Sequence, residues 1–261
     1  MAAPHVHTHA ADLPPLPPIR QVTLDRSSTW LGRGFADFAA HPGIGLAYGA
    51  VFALFGWLLT FGLGEIGMGS LILPLAAGFM LVAPFLAVGL YEVSRRCEAG
   101  QDVTLAQAIR AIGRNHQMAD RGLVLLLAFF VWFQLAMVIF ALYFGGHPPA
   151  LDSFYGQVVL APQGPAFLLT GTVVGGGVAA LVFAISVVSM PMLLDRDVSA
   201  LTAMRTSLKA FWLNRMNMIG WAATLATLGL LGLSFFFVGL AITLPVAAHA
   251  SWHAYRDLVE R

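Results

Sequence analysis

Five long apolar stretches decide what this chain can become. Residues 43–63, 70–93, 122–145, 165–194 and 218–250 are almost free of charge. A bilayer offers backbone amides no water, so a crossing segment must satisfy them within one helix, and about 20 residues cover a hydrocarbon core about 30 Å thick. The first three stretches fit one span each. The fourth is longer, with Pro165 at its start and Pro191 placed to bend its end. The fifth would make a helix about 50 Å long, more than tilt absorbs. Gly229, Gly232 and Ser234 are therefore read as the hairpin that divides it. Six spans result, at about 43–63, 70–93, 122–145, 165–194, 216–232 and 235–255. The expected fold class is all-α, a polytopic membrane protein.

Charge placement tests that count. With six spans and both termini cytoplasmic, all 14 Lys and Arg residues fall on the inner side, while the outer loops carry only Glu65 and Asp152. That is the segregation the positive-inside bias demands. Five spans would strand Arg256 and Arg261 outside. The expected location is the bacterial cytoplasmic membrane, with residues 1–19 a disordered cytoplasmic tail and 20–261 one membrane domain. The first forty residues hold no continuous apolar core of the kind a cleavable signal peptide needs.

Only 10% of the residues are charged and 58% are hydrophobic, which excludes an ordinary soluble enzyme. No basic face is left over for nucleic acid. The single cysteine, Cys97, is read as lying in a cytoplasmic loop without a partner, so no disulfide is expected. Glycine-rich nucleotide loops, zinc-protease helices and nucleophile elbows are absent from the sequence.

A short amphipathic stretch precedes each odd-numbered span. Asp102-Val103-Thr104 is followed by Ala108-Ile109-Arg110, and Asp197-Val198-Ser199 by Ala203-Met204-Arg205, at a constant offset of 95 residues. Trp30-Leu31 through Phe35 and Phe38 form a looser copy. Asp102 or Thr104, and Asp197 or Ser199, are suitable N-caps. Leu201, Met204, Leu208 and Phe211 then recur at helical spacing, with Arg and Lys on the other face. Such helices suit an anionic inner leaflet. The even-numbered spans also share a pattern, because Pro84, Pro191 and Pro245 each precede an acidic and basic cluster. Three amphipathic-helix-plus-hairpin units are the expected organisation.

Several segments resemble a family of bacterial predicted integral membrane proteins, catalogued as a domain of unknown function. They are His41-Pro42-Gly43 through Leu46-Ala47-Tyr48-Gly49, Ala83-Pro84 through Arg95-Arg96, Ala184-Ile185 through Arg196-Asp197, and His249-Ala250 through Asp257-Leu258. The resemblance runs from about Ile19 to Leu258 and implies a membrane fold, but no activity. Some members carry a label as cytochrome c oxidase subunits. A haem–copper catalytic subunit needs about six histidines inside its spans. Here only His249 is read at membrane depth, with His253 at the edge.

The candidate site residues are the three inner-surface clusters, Tyr91-Glu92 with Arg95-Arg96, Asp195 with Arg196, and Tyr255-Arg256 with Asp257. They serve either as ion pairs closing the bundle or as a headgroup, anion or partner site. His249 and His253 share a helix face and are either a hydrogen-bonded helix end or metal ligands, and Trp252 beside them is read as an interfacial anchor. His5, His7 and His9 alternate along the tail and are weak candidates for adventitious metal. No cofactor is expected. Gly45, Gly49 and Ala53, and Gly171, Gly175 and Ala179, step by four along their spans and allow close helix approach. Gln134, Ser186, Thr224 and Thr227 are expected to bond between helices.

The functional expectation is a non-catalytic scaffold or accessory protein, with anionic lipid and a membrane-protein partner or a second copy as its contacts. A channel or permease is the alternative, and an accessory subunit of a respiratory oxidase is a second. A polar cavity lined by Gln134, Ser186 and Thr227 would favour transport.

Overall fold

The computed structural model describes residues 15–113, 116–145 and 160–260, excluding the side chains of residues 116–119 and 121. The described chain is helical. Its helices are α1 (Arg26–Ala40), α2 (Pro42–Glu65), α3 (Ile72–Leu86), α4 (Val88–Glu98), α5 (Leu105–Ala111), α6 (His116–Phe144), α7 (Gly164–Ser186), α8 (Ser189–Asp195), α9 (Ala200–Leu213), α10 (Arg215–Ser234) and α11 (Leu240–Leu258). Among the described residues, five segments are long and apolar enough to cross a membrane: Pro42–Glu65, Gly69–Glu98, Gly122–Phe144, Gly164–Asp195 and Arg215–Ser234. Helix α11 is not among them, since its second half carries His249, His253, Arg256 and Asp257.

The helix starts follow from capping chemistry. Thr104, not Asp102, caps α5 in a reciprocal pair with Gln107, and Ser199, not Asp197, caps α9 by accepting from the Thr202 amide. Pro42 opens α2, where its missing amide costs nothing. Pro191 cannot donate to the carbonyl four residues back, at Val187, and the helix breaks there between α7 and α8. Pro84 lies inside α3, and the helix resets after it at Ala87.

The last hairpin departs from the expected boundaries. Its turn falls at residues 235–239, not at Gly229–Ser234, so α11 begins at Leu240. Phe236 and Phe237 take left-handed φ values of 50° and 65°. Aromatic residues rarely do so, because the β-carbon crowds the following carbonyl. What holds them is α2: the Phe236 carbonyl accepts from Trp57 Nε1 at 2.6 Å, and the Phe237 ring lies over Gly56.

The main core sits at one end of the bundle rather than at its middle. Trp30, Trp221, Trp252, Tyr255, Met190 and Met192 are fully buried there, with α1 packed chiefly on α11. Of an apolar 18-residue stretch, 22% is buried in each of Pro42–Glu65, Gly122–Phe144 and Arg215–Ser234, against 56% in Gly164–Asp195. Leu54, Leu58, Leu127, Val131, Leu230 and other large side chains face outward, as lipid contact requires.

Small residues set the closest approaches. A β-carbon on Gly34 would stand 2.5 Å from the Ala250 backbone nitrogen, and one on Gly49 would stand 2.6 Å from the Ala241 Cα and 2.7 Å from its oxygen. That oxygen has no amide donor four residues on, because Pro245 occupies the position. The α2 stripe therefore works as expected at Gly45 and Gly49. On α7 only Gly175 is crowded, by Trp132, while Gly171 has open space around it and Ala179 is exposed. The expected bonds between helices are also corrected. Ser186, Thr224 and Thr227 donate to Val182, Gly220 and Ala223 in their own helices, and Gln134 and Thr227 are exposed. A hydroxyl reaches its own helix carbonyl more readily than a neighbour's backbone. The three groups expected to line a transport path thus do not converge.

Candidate functional site

Charged side chains gather where the last turns of α4, α8 and α11 meet α1. Helix α4 is buried without a break from Val88 to Ser94. Within it Glu92 is 1% exposed and is matched by two guanidiniums. Arg95 makes two bonds to it, at 2.7 and 2.8 Å, and Arg96 one at 2.7 Å. Spacings of three and four residues place both arginines over the same carboxylate. Glu92, Arg95 and Arg96 pair as their spacing indicates, while Tyr91 of the expected cluster is buried in the hydrophobic core instead.

The other two clusters resolve differently. Asp195 lies 3.9 Å from Arg196, but accepts from Arg256 at 3.1 Å and from the Tyr255 hydroxyl at 2.7 Å. Asp257 does not pair with Arg256; it accepts from Trp30 Nε1 at 3.0 Å and stands 3.5 Å from Arg26. Arg256 instead bridges Asp195 and Glu98, 3.0 Å from Glu98. Adjacent residues on a helix point about 100° apart, so sequence neighbours reach different partners. What reads as separate pairs is one network tying α1, α4, α8 and α11. Trp252 belongs to it: the indole is fully buried, donates to Glu98 at 3.2 Å and is no interfacial anchor. Arg196 donates to Tyr255 at 3.0 Å and also to the Glu260 carbonyl.

The two histidines face a carboxylate on another helix. His253 Nε2 lies 2.9 Å from Asp37 Oδ2, and the Ser94 hydroxyl donates to the same oxygen at 2.6 Å. Ser94 Oγ is also 2.8 Å from His249 Nδ1. A serine has one hydroxyl proton and here gives it to Asp37, so His249 Nδ1 carries the proton of the second contact. Ser94 is fully buried and engaged on both sides, so it is not placed as a nucleophile. Among the described residues no three His, Cys, Asp or Glu side chains are grouped to hold a metal. Cys97 lies within α4, not in a loop, with Sγ 3.4 Å from His41 Nδ1. His5, His7 and His9 lie outside the described residues.

Burial raises the Asp37 carboxyl, but hydrogen bonds from His253 and Ser94 outweigh it and hold the group below its ordinary 3.8. A depressed carboxyl contributes stability that is full above its unfolded value and lost as pH falls through its folded one. Asp37→Asn should therefore destabilise the protein by about 2 kcal/mol at neutral pH, as for bonds to a charged acceptor. The gap from the parent should close in acid, below 3.8. Thermal unfolding of both proteins in one detergent across pH tests this; a gap independent of pH would refute it.

Sequence reasoning missed Asp37, Ser94, Glu98 and Trp30, and also Asn214 and Asn217. The asparagines bind the segment before α1: Asn214 Oδ1 accepts from the Val22 amide at 2.9 Å, its Nδ2 donates to the Arg20 carbonyl at 3.0 Å, and Asn217 donates to the Thr23 carbonyl. Ile19 forms an antiparallel bridge with Val259, which brings the first and last described segments together. The available signal for Asp37 is its spacing, seven residues after Trp30 and three after Gly34, on one helix face.

Beside this network Arg20, Arg33, Glu98, Arg256 and Asp257 line a cavity of about 330 Å³. Another, of about 540 Å³, lies between Pro15–Pro17 and the α8–α9 connection, lined by Met192, Arg196 and Asp197 among others.

Long outward-facing apolar helices closed by a charged network at one end define an integral membrane protein with several spanning helices. Residues 72–195 match the model of a family described as "Predicted integral membrane protein (DUF2189)", the kind of family the sequence motifs resemble. The matched segment includes Ala83-Pro84 through Arg95-Arg96 and ends at Asp195, while the motifs at His41 and His249 lie outside it. No curated protein and no solved structure matches the chain.

Proposed function

We propose that the chain is a non-catalytic scaffold or accessory protein of the bacterial cytoplasmic membrane. It crosses six times in three amphipathic-helix-plus-hairpin units, with both termini cytoplasmic. The observation that carries this reading is how the buried polar groups are used. Asp37 with Ser94, Ser94 with His249 and Asp195 with Arg256 are engaged across helices, and Glu92 with Arg95 and Arg96 within α4, so they hold the bundle closed rather than standing open to a substrate. Even parity is supported by the bridge of Ile19 to Val259, which returns the chain to the end from which it entered α2. Helix α11 then acts as the sixth crossing, shielded from lipid by α1, α2 and α10.

The test is purification from native membranes in a mild detergent, with identification of co-purifying proteins and cysteine labelling at both termini. A stoichiometric membrane partner and labelling from the cytoplasmic side are expected. A chain that always purifies alone yet moves a solute in proteoliposomes would refute the scaffold role. Periplasmic labelling of either terminus would refute the topology.

A further inference from the structure

We propose that the cavity lined by Arg20, Arg33, Glu98, Arg256 and Asp257 binds one phosphate group of about single negative charge, presented by a phospholipid headgroup or by a free phosphate. The inference rests on the reading above, that this end of the bundle faces the cytoplasmic leaflet. Three guanidiniums and two carboxylates line the cavity, and Glu260 and Asp195 beside it also pair with Arg20 and Arg256. The charges are unequally engaged. Glu98 already receives Arg256 and Trp252, and Asp257 receives Trp30. Arg256 is shared between Glu98 and Asp195.

The least engaged donors are therefore Arg33 and Arg20. Arg33 is exposed on α1, with no ion-pair or hydrogen-bond partner among the described residues. Arg20 is held weakly, 3.5 Å from the Asp257 carbonyl and 3.7 Å from Glu260, with its side chain and that of Glu260 45% exposed. Guanidiniums stay charged and present forked donors that match phosphate oxygens. The space, about 330 Å³, is about ten times that of one water in the liquid, enough for a phosphodiester and its first ester carbons.

The full chain would be reconstituted in nanodiscs of phosphatidylcholine containing a minority of phosphatidylglycerol. It would then be released into mild detergent, and the retained phosphatidylglycerol counted by native mass spectrometry. The parent is expected to retain one molecule selectively, and the Arg20→Gln/Arg33→Gln variant to retain at least about tenfold less. Lys209→Gln, outside the cavity lining, should retain it in full. Both arginines lack a strong internal tie, so an unchanged melting temperature accompanies the loss. Retention that survives added inorganic phosphate assigns the site to lipid; release by inorganic phosphate assigns it to a soluble phosphate. Undiminished retention in the double variant, or equal loss in Lys209→Gln, overturns the proposal. Solitary purification with solute movement would sink only the scaffold reading, because lipid counting needs no partner protein.

Discussion

Glu92→Ala is expected to destabilise the bundle by about 3–5 kcal/mol, since it leaves buried cations without their counter-charge. The carboxylate is 1% exposed and receives three bonds from Arg95 and Arg96. Both arginines are less than a third exposed, so neither can recover full hydration where it stands. Arg96→Ala removes one partner and leaves Glu92 with the paired bonds of Arg95, so its cost should be clearly smaller. The measurement is a denaturant midpoint in a fixed detergent. A loss below about 1 kcal/mol, the range of an exposed pair, would show that the carboxylate is not the hub described.

Trp30→Ala should cost about as much, 3–5 kcal/mol, by a different mechanism. The indole is fully buried, meets Trp221 edge-to-face with centroids 5.5 Å apart, and donates to Asp257. Removing it opens a cavity at the seam between α1, α10 and α11, and leaves Asp257 dependent on Arg26. Trp30→Phe keeps most of the apolar volume and loses the donor, so about 1–2 kcal/mol is expected. Trp57→Ala provides the contrast, because that ring is 43% exposed and its tie to the rest of the fold is the bond to the Phe236 carbonyl, so about 1–2 kcal/mol is expected. Equal losses at positions 30 and 57 would refute the placement of the core at the charged end.

How much was legible in the sequence differs from residue to residue. The spans over Pro42–Glu65 and Arg215–Ser234 follow from hydropathy, because a bilayer selects on the mean character of about 20 residues. Thr104 and Ser199 were each recognisable as one of two cap candidates, because capping needs only a local side chain and an amide three residues on. Glu92 with Arg95 and Arg96 was legible for the same reason, since all three lie within one helical turn. The turn of the last hairpin was misplaced. Gly229 and Gly232 look like breakers, yet they serve contact with Met80 and with Leu240 and Thr243, while two phenylalanines make the turn.

By itself, the sequence determined an all-helical membrane protein, where its apolar segments lie, and the pairing of Glu92 with Arg95 and Arg96. Each of these depends on composition within a turn or a span. Tertiary structure alone decided that Asp257 turns to Trp30, that Arg256 joins Asp195 to Glu98, and that Asp37 receives His253 and Ser94. The separations in those ties run from 57 residues between Asp37 and Ser94 to 227 between Trp30 and Asp257. No local periodicity reports which faces of distant helices will meet. That choice is made by packing, through glycines such as Gly34 that let one backbone rest against another.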